Sequence, residues 1–330
     1  MADMTFDDLQ HMLWSFAEHR VLTVAARTGI LRRLASSGAT PEEVAHDLDL
    51  NSYSTGKVLR ALHALGVLIA DDHIYRVTDG LSEHFREGPG DLAPFLAHSH
   101  SMYEGWGENL EPWLRGEAWD TGPRDPEGVR RFGSAMRALG SKMARRVAAR
   151  LDLEGVDSAL DVGGGFGHYA MALCSKRPGL RATVVDIPPV AQMASLELEG
   201  SEFEDRIRFL GGDYLETDYG TSYDLALIAN ILHQENPTRA AELVRRAAAA
   251  VAPGGRVAVV DFQIDEAQRE HRLGALFAIN MRSFGDTHTE SSIRGWMSAA
   301  GLESITRTDI DRHRWLIIGH RPPTRSKVES

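Results

Sequence analysis

The feature that most limits the fold is a change of grammar near Leu151. From there, short apolar runs alternate with helix-length stretches: DSALDVGG, HYAMALCSKRPG, RATVVDIP, RIRFLGG, YDLALIAN and GRVAVVDF. Strands that are apolar on both sides and separated by helices predict a parallel sheet covered on both faces, a doubly wound α/β domain. The segment PTRAAELVRRAAAAVAPGG reads as a helix that opens after Pro237 and closes at Pro253-Gly254. No helix-length crossover separates LESITRTDI from RHRWLIIGHR, so this last pair is expected to be antiparallel.

Upstream the pattern is helical. Leu9, Leu13, Phe16, Ala17, Val21 and Val24 recur at helix-like spacing. In ATPEEVAHDLDL, Thr40 is placed as an N-cap, Pro41 at the first helical position and Glu43 where a capping box needs it. A second helix over STGKVLRALHALG stops at Gly66, and VLIADDHIYRVT alternates around Asp71-Asp72 as a hairpin would. Helix, helix, hairpin is a winged-helix pattern, which raises DNA binding. Charge argues against it. From Pro41 to Tyr75 the acids Glu42, Glu43, Asp47, Asp49, Asp71 and Asp72 face only Lys57 and Arg60, and the whole chain carries a net charge of -11. A packing or dimerisation module on the same fold is the better reading, with no nucleic-acid partner. We divide the chain into a helical, winged-helix-like dimerisation region (1–105), connecting helices (106–150), a catalytic domain (151–322) and an unstructured tail (323–330). Cys174 is the sole cysteine, the acidic stretch MADMTFDD has none of the basic and apolar regions of a secretory signal, and no apolar run approaches the roughly 18 residues of a membrane span. A cytoplasmic protein without a membrane partner is expected.

The strongest chemical signal is LDVGGGFGHYA, Leu160 to Ala170. Glycines after a strand let backbone approach a ligand at the carboxyl edge of the sheet, and the next helix presents free N–H groups. A dinucleotide fingerprint starting at Gly163 would need Gly or Ala where His168 stands, and Asp161 is an awkward neighbour for a pyrophosphate. S-adenosylmethionine, which carries a sulfonium and an ammonium but no phosphate, suits an acid-flanked glycine loop better than NAD does. Asp186 ends the strand TVVD 23 residues beyond Gly163, where ribose hydroxyls are bound, and Asp213 in GGDY is placed for an adenine amino group. Each acid alone also admits the lesser reading of a loop-end cap; their recurrence at successive strand ends weakens that reading further.

DVGGGFG, VVDIP, GGDY, NILHQENP and AAVAPGGRVAVVDF, in this order, resemble the plant-type O-methyltransferase family in its bacterial natural-product branch. The resemblance covers nearly the whole chain. It implies a Rossmann-like S-adenosylmethionine domain, a homodimer with swapped amino-terminal helices, and metal-independent methylation of hydroxyls on aromatic or polyketide-like small molecules. It puts Gly163 at the cofactor's methionine part, Asp186 at the ribose, Asp213 and Tyr214 at the adenine, and His233 at the general base. Asp161, Gly165 and Ile187 complete the cofactor candidates. Asp261, in VVDFQ, matches one of two carboxylates that orient the family's base. The chain also departs from the family: Ala229 replaces a lysine, Gln234 replaces an acid, and Thr287 stands at the second orienting glutamate, with His288 and Glu290 as nearby substitutes.

The chemistry asks for a histidine independently. A phenol with a pKa of ~10 is protonated at neutral pH, and an imidazole near ~6.5 is available to take its proton as the oxygen attacks the methyl group. For the acceptor pocket we single out Phe132 and Met136, four apart on one helical face, and Met102, Trp106, Gln234 and Met281. Core packing explains the spacing of the first pair equally well. His98 and His100, two apart on a helix, point apart and lack accompanying carboxylates, so no metal is expected. The same scaffold and cofactor also serve C- or N-methylation, decarboxylation or hydroxylation, because fold does not fix reaction.

Overall fold

The computed structural model describes residues 4–88, 90–119, 126–267, 270–281 and 284–324. The chain divides into two compact units, one ending at Leu139 and the other beginning at Gly140. The carboxy-terminal tail, from residue 325 onward, lies outside the described residues.

The first unit contains helices α1 (Phe6–Arg27), α2 (Ile30–Ser36), α3 (Pro41–Asp47) and α4 (Ser52–Ala64), then strands β1 (Leu68–Asp71) and β2 (Ile74–Val77). A 3-10 turn (Asp79–His84) leads to α5 (Ala93–Leu114) and α6 (Pro126–Arg150), which runs on past the division. The capping box at α3 forms as its sequence requires: Thr40 Oγ1 accepts the Glu43 N–H at 3.3 Å, and Glu43 Oε2 accepts the Thr40 N–H at 2.8 Å. Helix α4 stops at the left-handed Gly66, whose N–H and that of Val67 turn back to the carbonyls of His63 and Leu62. The hairpin turn falls one residue later than the sequence suggested. Its central residues are Asp72 (φ 43°) and His73 (φ 65°), both left-handed as this tight turn demands, and Asp71 still pairs with Ile74. Leu31, Leu34, Leu59, Leu62 and Leu68 form this unit's own core.

The second unit runs β3 (Ser158–Val162), α7 (His168–Lys176), β4 (Arg181–Asp186), α8 (Pro188–Leu198), β5 (Ile207–Gly211) and β6 (Tyr223–Ala229). A 3-10 turn (Leu232–Gln234), α9 (Pro237–Ala250), β7 (Val251–Phe262), α10 (Arg272–Asn280), α11 (Glu290–Ala299), β8 (Glu303–Asp309) and β9 (Arg314–His320) follow. The seven strands are ordered β5-β4-β3-β6-β7-β9-β8. The first five are parallel, and β9 pairs antiparallel with both β7 and β8. Alternate side chains explain the continuous apolar runs. Leu225 and Leu227 enter the core with Leu173 and Val147, while Ala226 and Ile228 enter the opposite core with Leu243 and Trp315.

Helix α9 opens where its sequence says, with Asn236 Oδ1 accepting the Arg239 N–H at 3.0 Å and Pro237 at the first helical position. It ends at Ala250, before the expected Pro253-Gly254, because Val251 is already extended and paired with Tyr223 in the sheet. Among the described residues no helix is long and apolar enough to cross a membrane.

Replacing Thr40 by Ala removes a side-chain acceptor from the first turn of α3, so the first unit is expected to lose about 1 kcal/mol. Urea unfolding of Thr40→Ala and Thr40→Ser checks this: the midpoint should fall for alanine and stay near wild type for serine.

Candidate active site

The strand order reverses between β3 and β6, so the crossovers leave in opposite directions and open a crevice at the carboxyl ends. Into this edge the chain delivers Asp161, Gly163 and Gly165 after β3, Asp186 and Ile187 after β4, Asp213 and Tyr214 after β5, His233 after β6 and Asp261 near the end of β7. The glycine loop needs its composition. Gly163 has φ 65°, and a Cβ there would lie 2.7 Å from the Ile231 side chain.

The three acids differ in their surroundings. Asp161 is fully buried; Oδ2 accepts the Ala170 N–H at 3.3 Å, and Oδ1 has no hydrogen-bond partner. Burial pushes this carboxyl up to about 7, with the nearby Asp186 charge adding to the shift and the Ala170 N–H opposing it. Asp186 accepts N–H groups from Gly165 and Ile187, each at 2.8 Å, yet burial still raises its carboxyl above the usual range. Asp213 is exposed and accepts the Leu215 N–H at 2.7 Å. The Tyr214 hydroxyl is committed elsewhere, donating to buried Glu235 at 2.6 Å.

His233 and Asp261 are each 4% exposed, and His233 Nδ1 lies 2.6 Å from Asp261 Oδ1. The same carboxylate accepts the backbone N–H of His233 at 3.1 Å and of Phe262 at 2.7 Å. Burial alone would raise this acid, but the His233 charge, the ring hydrogen bond and the two N–H groups outweigh it and hold it below the usual carboxylate range. Two phenyl rings pack on the imidazole, Phe262 at 5.4 Å and Phe277 at 4.9 Å between centroids. The candidates for a second orienting acid do not reach the ring. Thr287 Oγ1 donates to the Gly274 carbonyl, and Glu290 pairs with Arg294 and Arg307. His288 instead holds the backbone: its buried Nε2 lies 3.1 Å from the Leu232 carbonyl and 3.0 Å from that of Glu235. Gly285 closes against the same turn, where a Cβ would lie 2.5 Å from the His233 carbonyl oxygen.

Gln234 is exposed and Met281 half-buried at the end of α10. Met102, Trp106, Phe132 and Met136 belong to the first unit, where the Phe132 ring meets His98 edge-on at 5.4 Å. Sequence reasoning missed Asn230, Phe262, Phe277, Gly285 and Arg314. Arg314 lays its guanidinium over the Phe262 ring, 4.4 Å from the centroid, and donates through Nε to Asn230 Oδ1 at 3.2 Å. Asn230, left-handed at φ 54°, in turn donates through Nδ2 to the Tyr169 hydroxyl at 2.8 Å. A polar residue closing the apolar run YDLALIAN was the one available signal. Among the described residues no group of three or more His, Cys, Asp or Glu side chains is arranged to hold a metal ion.

The O-methyltransferase domain family matches residues 99–303. The tetracenomycin polyketide synthesis 8-O-methyl transferase TcmO of Streptomyces glaucescens is 28% identical, covering 96% of each chain. The N,N-dimethyltransferase OxyT of Streptomyces rimosus is also 28% identical, over 95% of this chain and 96% of that one. Among solved structures, human N-acetylserotonin methyltransferase in complex with SAM superposes with a TM-score of 0.85 at 24% identity, covering 97% of this chain and 98% of that one, a likeness of fold. The acid-ended strands and glycine loop thus define a Rossmann-like methyltransferase unit. The chain belongs to the O-methyltransferase domain family and is an S-adenosylmethionine-dependent enzyme.

The raised Asp161 carboxyl has a sign that can be tested. An unfolded aspartate titrates near ~3.9, so the folded state favours the protonated form; its contribution is fullest below ~4 and is lost as pH rises to about 7. Ligand-free Asp161→Asn is therefore expected to be more stable than wild type at pH ~8, by about 2–4 kcal/mol, with the gap closing near pH ~4. Urea unfolding across that range checks it.

Proposed function

We propose that the chain transfers the methyl group of S-adenosylmethionine to a hydroxyl of an aromatic or polyketide-like small molecule, with His233 as general base. The observation that carries the reading is the 2.6 Å contact between His233 Nδ1 and Asp261 at the carboxyl edge of the sheet. With Nδ1 donating to the carboxylate, Nε2 keeps its lone pair and can accept the hydroxyl proton. Phe262 and Phe277, tilted against each other with centroids 4.0 Å apart, pack together against the ring, so the base is oriented before an acceptor arrives.

The residues present suit the cofactor, a cation without phosphate. Asp161 keeps a buried carboxylate oxygen that lacks a donor, and an ammonium would satisfy it. We assign Asp161 and the backbone of Gly163 and Gly165 to the cofactor's amino-acid end, Asp186 and Ile187 to its ribose, and Asp213 and Tyr214 to its adenine. Because the Tyr214 hydroxyl bonds Glu235, only its ring and backbone serve an adenine. When bound, the cofactor supplies a methyl group activated by its sulfonium. Gln234, Met281, Met102, Trp106, Phe132 and Met136 are assigned to the acceptor side.

Helix α1 supports a homodimer, since Phe6, Leu13, Trp14 and Phe16 are each more than half exposed. Light scattering at micromolar concentration is expected to give twice the 36.3 kDa chain mass. A monomer would overturn that assignment. We place the enzyme in the cytoplasm, where the buried Cys174 thiol stays reduced. N-methylation is the second reading, favoured by the name of the OxyT relative.

Replacing His233 by Ala or Gln is expected to leave cofactor affinity near wild type and to lower methyl transfer by roughly 10²–10⁴-fold. The loss should shrink for a nitrophenol-like acceptor that is already ionised. Equal rates for wild type and His233→Ala on a weakly acidic hydroxyl would end the general-base reading, and methyl transfer to amines alone would favour the second one.

A further inference from the structure

Arg314 begins β9, and β9 lies antiparallel to β7, so its first residue stands at the carboxyl edge where His233 and Asp261 stand. In register it pairs with Phe262. Its guanidinium lies over the Phe262 ring, 4.4 Å from the centroid, and the same ring packs against the His233 imidazole at 5.4 Å, so cation and imidazole sit against one phenyl group. Nε is fixed by Asn230 Oδ1 at 3.2 Å, and Asn230 is fixed by the Tyr169 hydroxyl at 2.8 Å. Among the described residues no carboxylate pairs with this guanidinium. The nearest candidate by sequence, Asp311, directs Oδ1 to the backbone N–H groups of His313 and Arg314 and Oδ2 toward Arg146 at 3.9 Å. Among the described residues Nη1 and Nη2 carry four N–H donors without a protein acceptor, on a half-buried side chain already held in place from its other edge.

A half-buried cation without a counter-charge is costly to desolvate, and a planar fork of free N–H groups matches the two oxygens of a carboxylate. We propose that Arg314 is a specificity residue that receives a carboxylate carried by the methyl acceptor, about one aromatic ring away from the hydroxyl presented to His233. The proposal rests on the methyl-transfer reading for the identity of the acceptor and on the Arg314 geometry for its charge. It selects hydroxyaryl carboxylates over their neutral amides or esters.

The test titrates para-hydroxybenzoate and para-hydroxybenzamide by calorimetry into the full-length protein loaded with S-adenosylhomocysteine. Wild type is expected to bind the acid at least about tenfold more tightly than the amide, a ratio that falls to near one in Arg314→Met and is partly restored in Arg314→Lys. Equal affinity of wild type for the two compounds, no binding of the acid at millimolar concentration, or an undiminished ratio in Arg314→Met overturns the proposal. If Arg314→Met does not fold, judged by circular dichroism and S-adenosylhomocysteine affinity, the wild-type and Arg314→Lys ratios decide it. Turnover with S-adenosylmethionine separates the two readings. Acid-selective binding without methyl transfer overturns O-methylation and leaves Arg314 assigned, whereas methyl transfer without acid preference overturns the Arg314 assignment alone.

Discussion

A carboxylate taken out of water must find donors inside the protein or take up a proton, and Asp261 finds three. The ring and backbone N–H groups of His233 and the backbone N–H of Phe262 converge on its two oxygens. Those bonds join the end of β7 to the turn after β6, two segments 28 residues apart in sequence. The imidazole orientation follows from this, because Nδ1 is committed and only Nε2 is left to face outward. The position of Phe262 follows too, since its own N–H is part of the arrangement and its ring closes on the histidine. Arg314 then rests on Phe262.

Asp161 shows the opposite outcome on the same sheet. It is as deeply buried as Asp261, but it receives a single N–H, from Ala170, and has another acid, Asp186, close by. Desolvation therefore wins, and its carboxyl is raised where that of Asp261 is lowered. Burial alone predicts neither result; the number and sign of the neighbours decide. One acid is complete in the protein as it stands. The other keeps a buried carboxylate oxygen without a donor among the described residues, so the ends of β3 and β7 differ in what they leave unmet.

Much of this was legible in the sequence because it lies in local patterns. The parallel strands announced themselves as apolar runs, the capping box at Thr40 and Glu43 by its spacing, and the glycine loop by its place after a strand. His233 was legible because a histidine ending an apolar run falls at a sheet edge. What escaped depends on pairings remote in sequence. Arg314 reaches Asn230 across 84 residues, and nothing in RHRWLIIG marks its second arginine as different from the others. Phe262 and Phe277 carry no local mark, and only the fold sets them beside an imidazole. The hairpin was displaced by one residue because Asp71, Asp72 and His73 are all tolerable turn residues, and strand register chose among them.

The most informative difference from the expected pattern concerns the support of the His233 ring. The sequence put Thr287 where a second orienting carboxylate was anticipated, and the structure turns that side chain to the Gly274 carbonyl. A ring with one carboxylate has one fewer restraint on its own motion, so the restraint has to come through the backbone that carries it. His288 grips the carbonyls of Leu232 and Glu235 on either side of His233. Gly285 lets a neighbouring segment close on the His233 carbonyl where no side chain would fit. Glu235, buried one residue after Gln234, ties the far end of the turn to Tyr214 and Arg239. Support of this kind fixes where the imidazole stands without adding negative charge beside it. A second carboxylate would both orient the ring and stabilise its protonated form; contacts to the backbone do only the first. On the proposed general-base role of His233, proton removal then leans more on the acidity and placement of the acceptor hydroxyl.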